Sequence, residues 1–190
     1  MNITELFDKF LNGNPRDRVL GRYNSSELYS IIKGYKKPVD HFKRDSIQPQ
    51  YLDRVIRGMG AEDMMSRMFK QCGVVAKYGD NQAKYEMNLG EGITVVCKPD
   101  VEFENEVWEF KYPLDIPTSI PDKWKYQLEM EYRSTLKPVK LMVFTEPFGL
   151  IKFDYEPSDK VYEEIKTKLT NYDKKVREYA KERIQTNNWT

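Results

Sequence analysis

Two short β-prone runs joined by a polar pair constrain this chain more than any other stretch. Residues 95–103 are apolar and rich in β-formers, residues 106–112 are again β-prone, and Glu104-Asn105 between them suits a turn. A hairpin centred on that pair sets Phe103 opposite Glu106 and, further along, Asp100 opposite Glu109. Facing residues hold their Cβ atoms about 4.5–5.5 Å apart. That is close enough for two carboxylates to share one divalent cation, which takes hard oxygen ligands. Lys111 follows Glu109 by two and projects from the same face of the strand. The pattern predicts an acidic metal site with a cation beside it, chemistry suited to metal-assisted phosphodiester hydrolysis. Glu164-Ile165-Lys166 repeats the Glu-x-Lys spelling in a helical stretch, where residues two apart point in different directions, so that copy builds no site.

Composition narrows the chemistry further. With two cysteines, Cys72 and Cys97, and a single histidine, His41, the chain has no disulfide framework, four-cysteine metal site or histidine-rich site. Any metal must be held by carboxylates. The length of 190 residues fits one domain, with a core over about 18–155 and a C-terminal helical appendage over about 157–187. No apolar run reaches the length of a membrane span and no signal-like segment opens the chain, so the expectation is a cytoplasmic protein without a membrane partner. The net charge of +1 is unevenly spread: residues 15–45 hold eight Lys/Arg against four Asp/Glu, which is +4 and leaves −3 for the remainder. A basic stretch beside an acidic metal site is what a polyphosphate substrate needs.

Read from end to end, residues 3–12 form a short amphipathic helix, broken at Asn12-Gly13-Asn14-Pro15. Ser25 or Ser26 caps a helix to about Lys33, and a longer one runs over 51–72, interrupted or slackened at Gly58 and Gly60, with Met64, Met65, Met68 and Phe69 as core packing. Strands follow at about 74–79, 84–89, 93–103 and 106–112, then a helix from Ser119 to about Leu136 with Pro121 inside its first turn. Two more strands, 139–145 and 150–155, flank Pro147. In the last helix, capped by Ser158, apolar residues 161, 165, 169, 172, 176 and 179 recur at spacings of three and four. The element order indicates an α/β fold with a mixed central sheet flanked by helices. Two readings of the terminal stripe stand: it packs back on the chain's own sheet, or, being longer than one small domain needs to cover itself, it pairs with a second copy to give a homo-oligomer.

These residues, in this order, resemble the PD-(D/E)XK nuclease superfamily, in particular its phage lambda exonuclease (YqaJ-like) and RecB-like branch. Pro99-Asp100 is similar to the first motif of that family and Glu109-Phe110-Lys111 to the second. Gly58 to Glu62 resembles the upstream Gly-x-x-x-Glu helix motif, Gln127 the glutamine helix downstream, and Asn24-Ser25-Ser26-Glu27 the N-terminal serine motif. The resemblance covers roughly residues 18–150 and implies a restriction-endonuclease-like αβββαβ core. There are departures: Glu131 stands where RecB-like chains carry tyrosine, neither Arg18 nor Arg22 has a clean spacing to the serine, and the cluster-binding cysteines of some relatives are missing.

The resemblance, together with the chemistry above, implies Mg²⁺, with Mn²⁺ as the alternative, held by Asp100, Glu109, the Phe110 carbonyl and Glu62. Lys111 orients or deprotonates the attacking water and Gln127 helps to place it. Ser26, with Arg18, Arg22, Lys36 and Lys37, grips the DNA. The expected activity is that of a DNA exonuclease, typical of viruses and mobile elements. A structure-specific endonuclease and a non-catalytic DNA-binding protein on the same fold are the alternatives, and an intact Asp-Glu-Lys set argues against the latter.

Overall fold

The computed structural model of the chain describes residues 19–42, 52–145 and 149–185. The expected first helix, Arg18, the basic residues Lys43 and Arg44 and the turn at Pro147 lie outside them. Among the described residues, four α-helices and eight strands make a mixed α/β fold, as expected from the element order. One sheet is built from β1 (Arg22–Asn24), β3 (Tyr85–Gly90) and β4 (Ile93–Cys97), in the order β1-β4-β3. The other is built from β2 (Lys77–Tyr78), β5 (Val101–Glu102), β6 (Val107–Lys111), β7 (Val139–Thr145) and β8 (Gly149–Asp154), in that order. In the five-stranded sheet only β6 and β7 run parallel, as a crossover through a helix requires.

The helices are α1 (Leu28–Ile32), entered through a 3₁₀ turn at Ser25–Glu27, α2 (Leu52–Gln71), α3 (Asp122–Thr135) and α4 (Asp159–Gln185). The crossover helix α3 is central because it serves two cores. Its Tyr126 and Met130 pack with Tyr23, Leu28, Val95 and Cys97 of the three-stranded side. Its Trp124 and Leu128 pack on Val107, Leu141 and Val143 of the five-stranded sheet. On a helix turning every 3.6 residues, Gln127 and Glu131 fall between those two apolar rows. The opposite face of the five-stranded sheet is covered by α2, with Phe69 packed on Val101, Phe110, Met142 and Phe144.

Several elements depart from the sequence expectations for identifiable reasons. The strand expected over 93–103 is two strands in two sheets, because Pro99 has no amide hydrogen for a ladder and the chain changes sheet across Lys98-Pro99-Asp100. The three-residue β1, too short for periodicity to show, pairs parallel with β4. It is seated by Gly21 at φ +77°, whose carbonyl accepts from Thr94 N at 2.7 Å and where a Cβ would stand 2.2 Å from the Gly92 carbonyl oxygen. Helix α2 runs unbroken through Gly58 and Gly60. Neither Ser25 nor Ser26 caps α1, and Pro121 is the N-cap of α3, not its first turn. Leu136 closes α3 in the left-handed conformation at φ +56°, with Pro138 barring its continuation. Of the methionines expected in the core, Met64 and Met68 are half-exposed; with Met65, Tyr112 and Phe144 they line an open apolar pocket on the α2 face.

The C-terminal stripe is largely buried within the same chain. Ile165, Leu169 and Val176 are fully buried and Tyr172 nearly so, all in the core that holds Tyr23, Leu28 and Val95. The helix is tied in by polar contacts as well: Tyr23 OH donates to Asp173 Oδ1 at 2.7 Å, and Arg177 Nε donates to Asp173 Oδ2 at 2.5 Å. Burial and the Asp173 carboxylate both push the Tyr23 hydroxyl well above its ordinary range. Among the described residues, no helix is long and apolar enough to cross a membrane.

Candidate active site

The hairpin register expected from Glu104-Asn105 is the one observed. Val101 pairs with Trp108, Glu102 pairs with Val107, and Phe103 N donates to Glu106 O at 2.9 Å. One step beyond β5, this sets Asp100 against Glu109. Asp100 is anchored by the β6 backbone, with Phe110 N donating to its Oδ2 at 2.7 Å. Gln82, in the loop before β3, donates from Nε2 to Pro99 O at 2.8 Å and to Asp100 Oδ1 at 3.3 Å, so the segment that changes sheet is pinned at its turning point.

Strand alternation then sorts the β6 side chains. Phe110 goes to the α2 face, while Glu109 and Lys111 go to the face covered by α3. There Lys111 Nζ donates to Glu109 Oε1 at 2.5 Å and to Gln127 Oε1 at 3.1 Å. Gln127 Nε2 donates to Glu109 Oε1 at 2.6 Å and to Glu131 Oε1 at 2.8 Å. Glu109 is 3% exposed and Glu131 is fully buried, yet Glu109 Oε2 and Glu131 Oε2 have no hydrogen-bond partner. Two such oxygens in one cluster, next to a largely buried lysine, mark it as a candidate functional site.

The electrostatics follow from this crowding. Burial, then Glu109 and Glu62, push Asp100 well above the ordinary carboxylate range, against the opposing pull of Lys111 and the Phe110 N–H. Glu131 is raised in the same way, first by burial and then by Glu109. Glu62, exposed on α2, is raised by its protein surroundings and by Glu109, which places it within electrostatic reach of the cluster. For Lys111, burial is the largest influence and pulls its pKa down, but the combined pull of Glu109, Asp100 and Glu131 exceeds it, so the ammonium form is favoured.

As a cation site, the chemistry of the donors fits. Asp100 and Glu109 offer hard oxygens from adjacent positions, and the second oxygen of Glu109 is unengaged. Among the described residues, no three acidic, cysteine or histidine side chains are gathered tightly enough to form a complete shell. Glu62 stands at the rim, and Glu109 Oε1 is taken by Lys111 and Gln127.

Among the described residues, those expected to grip a phosphate chain belong to β1, the 3₁₀ turn before α1 and the segment after α1. Ser26 is exposed on the 3₁₀ turn before α1, while Ser25 beside it is buried and hydrogen-bonds the Cys97 thiol. Burial pushes that thiol up to about 12, in keeping with the packing role expected of Cys97. Arg22 makes a two-pronged pair with Glu86, at 2.9 and 2.5 Å, and holds that carboxyl down at about 2 together with Lys84. Lys36 is paired with Glu27 at 2.5 Å and is only 11% exposed at its side chain, whereas Lys37 is exposed. Two contributors were not anticipated from sequence, Glu131 and Gln82. The first stands one turn after Gln127 and was visible as a departure in the motif; the second carries no local signal, since its reach depends on tertiary folding.

No family model and no curated protein sequence matches the chain. Solved structures do. An alkaline exonuclease from Laribacter hongkongensis, LHK-Exo, superposes with a TM-score of 0.59 at 13% identity, over 88% of this chain and 95% of that one. The same enzyme in complex with dAMP gives 0.60 at 13% identity and the same coverage. A phage-related exonuclease from Haemophilus somnus 129PT gives 0.51 at 12% identity, over 85% of this chain and 96% of its own. The chain thus has the fold of these exonucleases almost end to end, at identities where likeness speaks for the fold alone.

Proposed function

We propose that the protein is a divalent-metal-dependent deoxyribonuclease acting on DNA ends. The observation that carries this reading is the joining of Asp100, Glu109, Lys111 and Gln127 at one end of β6, within a fold shared with exonucleases. Asp100, Glu109, the Phe110 carbonyl and Glu62 would hold Mg²⁺, or Mn²⁺ in its place. When bound, such an ion supplies Lewis-acid stabilisation of phosphoryl charge and a more acidic water.

The chain's own groups supply the rest. Lys111, fixed between Glu109 and Gln127, presents an ammonium where negative charge grows on the phosphate, a preorganised donor of the kind that dominates such catalysis. Gln127 sets the distance between Lys111 and Glu109 by donating to one and accepting from the other. Glu109 is almost fully buried and Lys111 largely so, and charges in such surroundings act more strongly on one another than on an open surface. DNA would be gripped from the N-terminal side, by Ser26 and Lys37 on the surface around α1, with Arg18, Arg22 and Lys36. DNA is the substrate this reading requires, and the relative solved with dAMP is consistent with it.

The test is digestion of linear and of covalently closed duplex DNA under Mg²⁺. Loss of the linear form alone is expected. Cutting of the closed form would make the protein an endonuclease, and inertness toward both, under Mg²⁺ and under Mn²⁺, would remove the nuclease reading.

A further inference from the structure

Helix α3 places Gln127 and Glu131 one turn apart on the same face, both inside the protein, at 9% and 0% exposure. The Gln127 amide has two different ends, an NH₂ that only donates and a carbonyl that only accepts. Its NH₂ meets Glu109 Oε1 at 2.6 Å and Glu131 Oε1 at 2.8 Å, and its carbonyl meets the Lys111 ammonium at 3.1 Å. A flipped amide would set its carbonyl against two carboxylate oxygens and its NH₂ against an ammonium. Glu109 alone does not fix this orientation, because the same Oε1 also takes the Lys111 proton at 2.5 Å. Glu131 makes no contact with Lys111 at hydrogen-bond distance, lies in the core side of the cluster, and offers Gln127 an acceptor that nothing else draws upon.

The cost of keeping Glu131 there is visible. Its Oε2 is buried without a partner, and a buried unsatisfied polar atom is unfavourable. Packing alone favours an apolar side chain at this position, between Trp124 and Leu128 on one side and Tyr126 and Met130 on the other. Its side-chain carboxylate makes one hydrogen bond, the one from Gln127.

We infer that Glu131 is a positioning residue that locks the Gln127 amide, so that its NH₂ faces Glu109 and its carbonyl holds Lys111. The inference rests on the nuclease reading for its kinetic consequence and on geometry alone for the lock itself. Small networks of this kind are cooperative, and supporting partners around metal and catalytic groups are worth about 10–100-fold in activity.

The experiment uses the full chain as wild type, Glu131→Leu, Gln127→Leu and the double variant. Three quantities are read: kcat and KM on linear duplex DNA with Mg²⁺, the thermal midpoint, and the side-chain amide signals of Gln127 in a ¹H–¹⁵N spectrum, identified by their loss in Gln127→Leu. Glu131→Leu is expected to lower kcat about 10-fold with KM within about twofold. The double variant is expected to be no slower than Gln127→Leu alone, the non-additivity of residues acting as one unit. The Gln127 amide signals are expected to broaden or move in Glu131→Leu while the protein stays folded. Multiplying effects in the double variant, an unchanged kcat, or unchanged amide signals would each overturn the lock. If Glu131→Leu does not fold, Glu131→Met, of similar length and without an acceptor for the Gln127 NH₂, is judged by the same signals and rates. Absence of cleavage by the wild type would instead strike the nuclease reading, and the amide signals would still decide on the lock.

Discussion

Helix α3 carries two fully buried glutamates two residues apart, and they live in opposite circumstances. Glu129 is completely spent: Arg133 Nε donates to it at 2.7 Å, Tyr155 OH at 2.6 Å and Ser158 N at 2.8 Å. Arg133 also reaches Asp159 at 2.6 Å, so the cluster clamps α3 to the end of β8 and the start of α4. Glu131 has one oxygen on Gln127 and the other on nothing. Residue type, helix and burial are the same, and only the partners differ. A buried carboxylate with all its bonds made is architecture. One left half-made, beside an Asp-Glu-Lys cluster, is a cost carried for another purpose. The two can be separated by experiment because the first should move stability and the second should move rate.

The largest effect is expected at the cluster itself. Lys111→Ala removes the one cation held between Glu109 and Gln127, and cleavage of linear DNA should fall about 10³-fold at unchanged secondary structure. Glu129→Ala should do the reverse. It strips Arg133, Tyr155 and Ser158 of a shared acceptor, and urea unfolding should show a loss of about 3 kcal/mol, the low end for a buried pair because Arg133 is partly exposed. Its rate per folded molecule should hold, and a specific loss of rate would erase the distinction drawn between the two glutamates.

Glu131→Gln sharpens the comparison through pH. The folded protein raises the Glu131 carboxyl through burial and through Glu109, with Asp100 acting in the same sense and Lys111 opposing them. Cys97 is the other titratable group near it. Above the unfolded carboxylate value of about 4.3, the folded state therefore binds more protons than the unfolded one, and unfolding free energy falls as pH rises. Replacing Glu131 with glutamine should make that fall shallower and leave the protein at least as stable as wild type at neutral pH, while the glutamine carbonyl keeps an acceptor for Gln127 and the rate holds. A steeper fall would mean that Glu131 is paired favourably in a way these contacts do not reveal. The smallest effect is chemical: a thiol reagent should label exposed Cys72 in the native protein and reach Cys97, buried and raised to about 12, only after unfolding.

Much of the site was readable in sequence because it is local. Asp100, Glu109 and Lys111 sit within twelve residues on one hairpin, and a polar pair at its tip sets the register that brings them together. Gln127 needed the resemblance, since nothing in an isolated helix says which residue meets a strand. Glu131 and Gln82 depend on packing and were found only in three dimensions. The break at Pro99 was written in the chain but lay within a run apolar enough to read as one strand. The C-terminal stripe was legible in part: its periodicity reported an apolar face correctly, but periodicity cannot say what covers that face, here largely Tyr23, Leu28 and Val95 of the same chain.

The central claim is that Asp100 and Glu109 act together on a divalent ion to cut DNA. The most direct measurement compares wild type with Asp100→Asn, a change of one oxygen for one amide, in Mg²⁺-dependent degradation of linear DNA, with thermal unfolding recorded alongside. The account predicts cleavage by the wild type and a loss of about 10³-fold or more in a variant that remains folded. Near-normal cleavage by Asp100→Asn would contradict it.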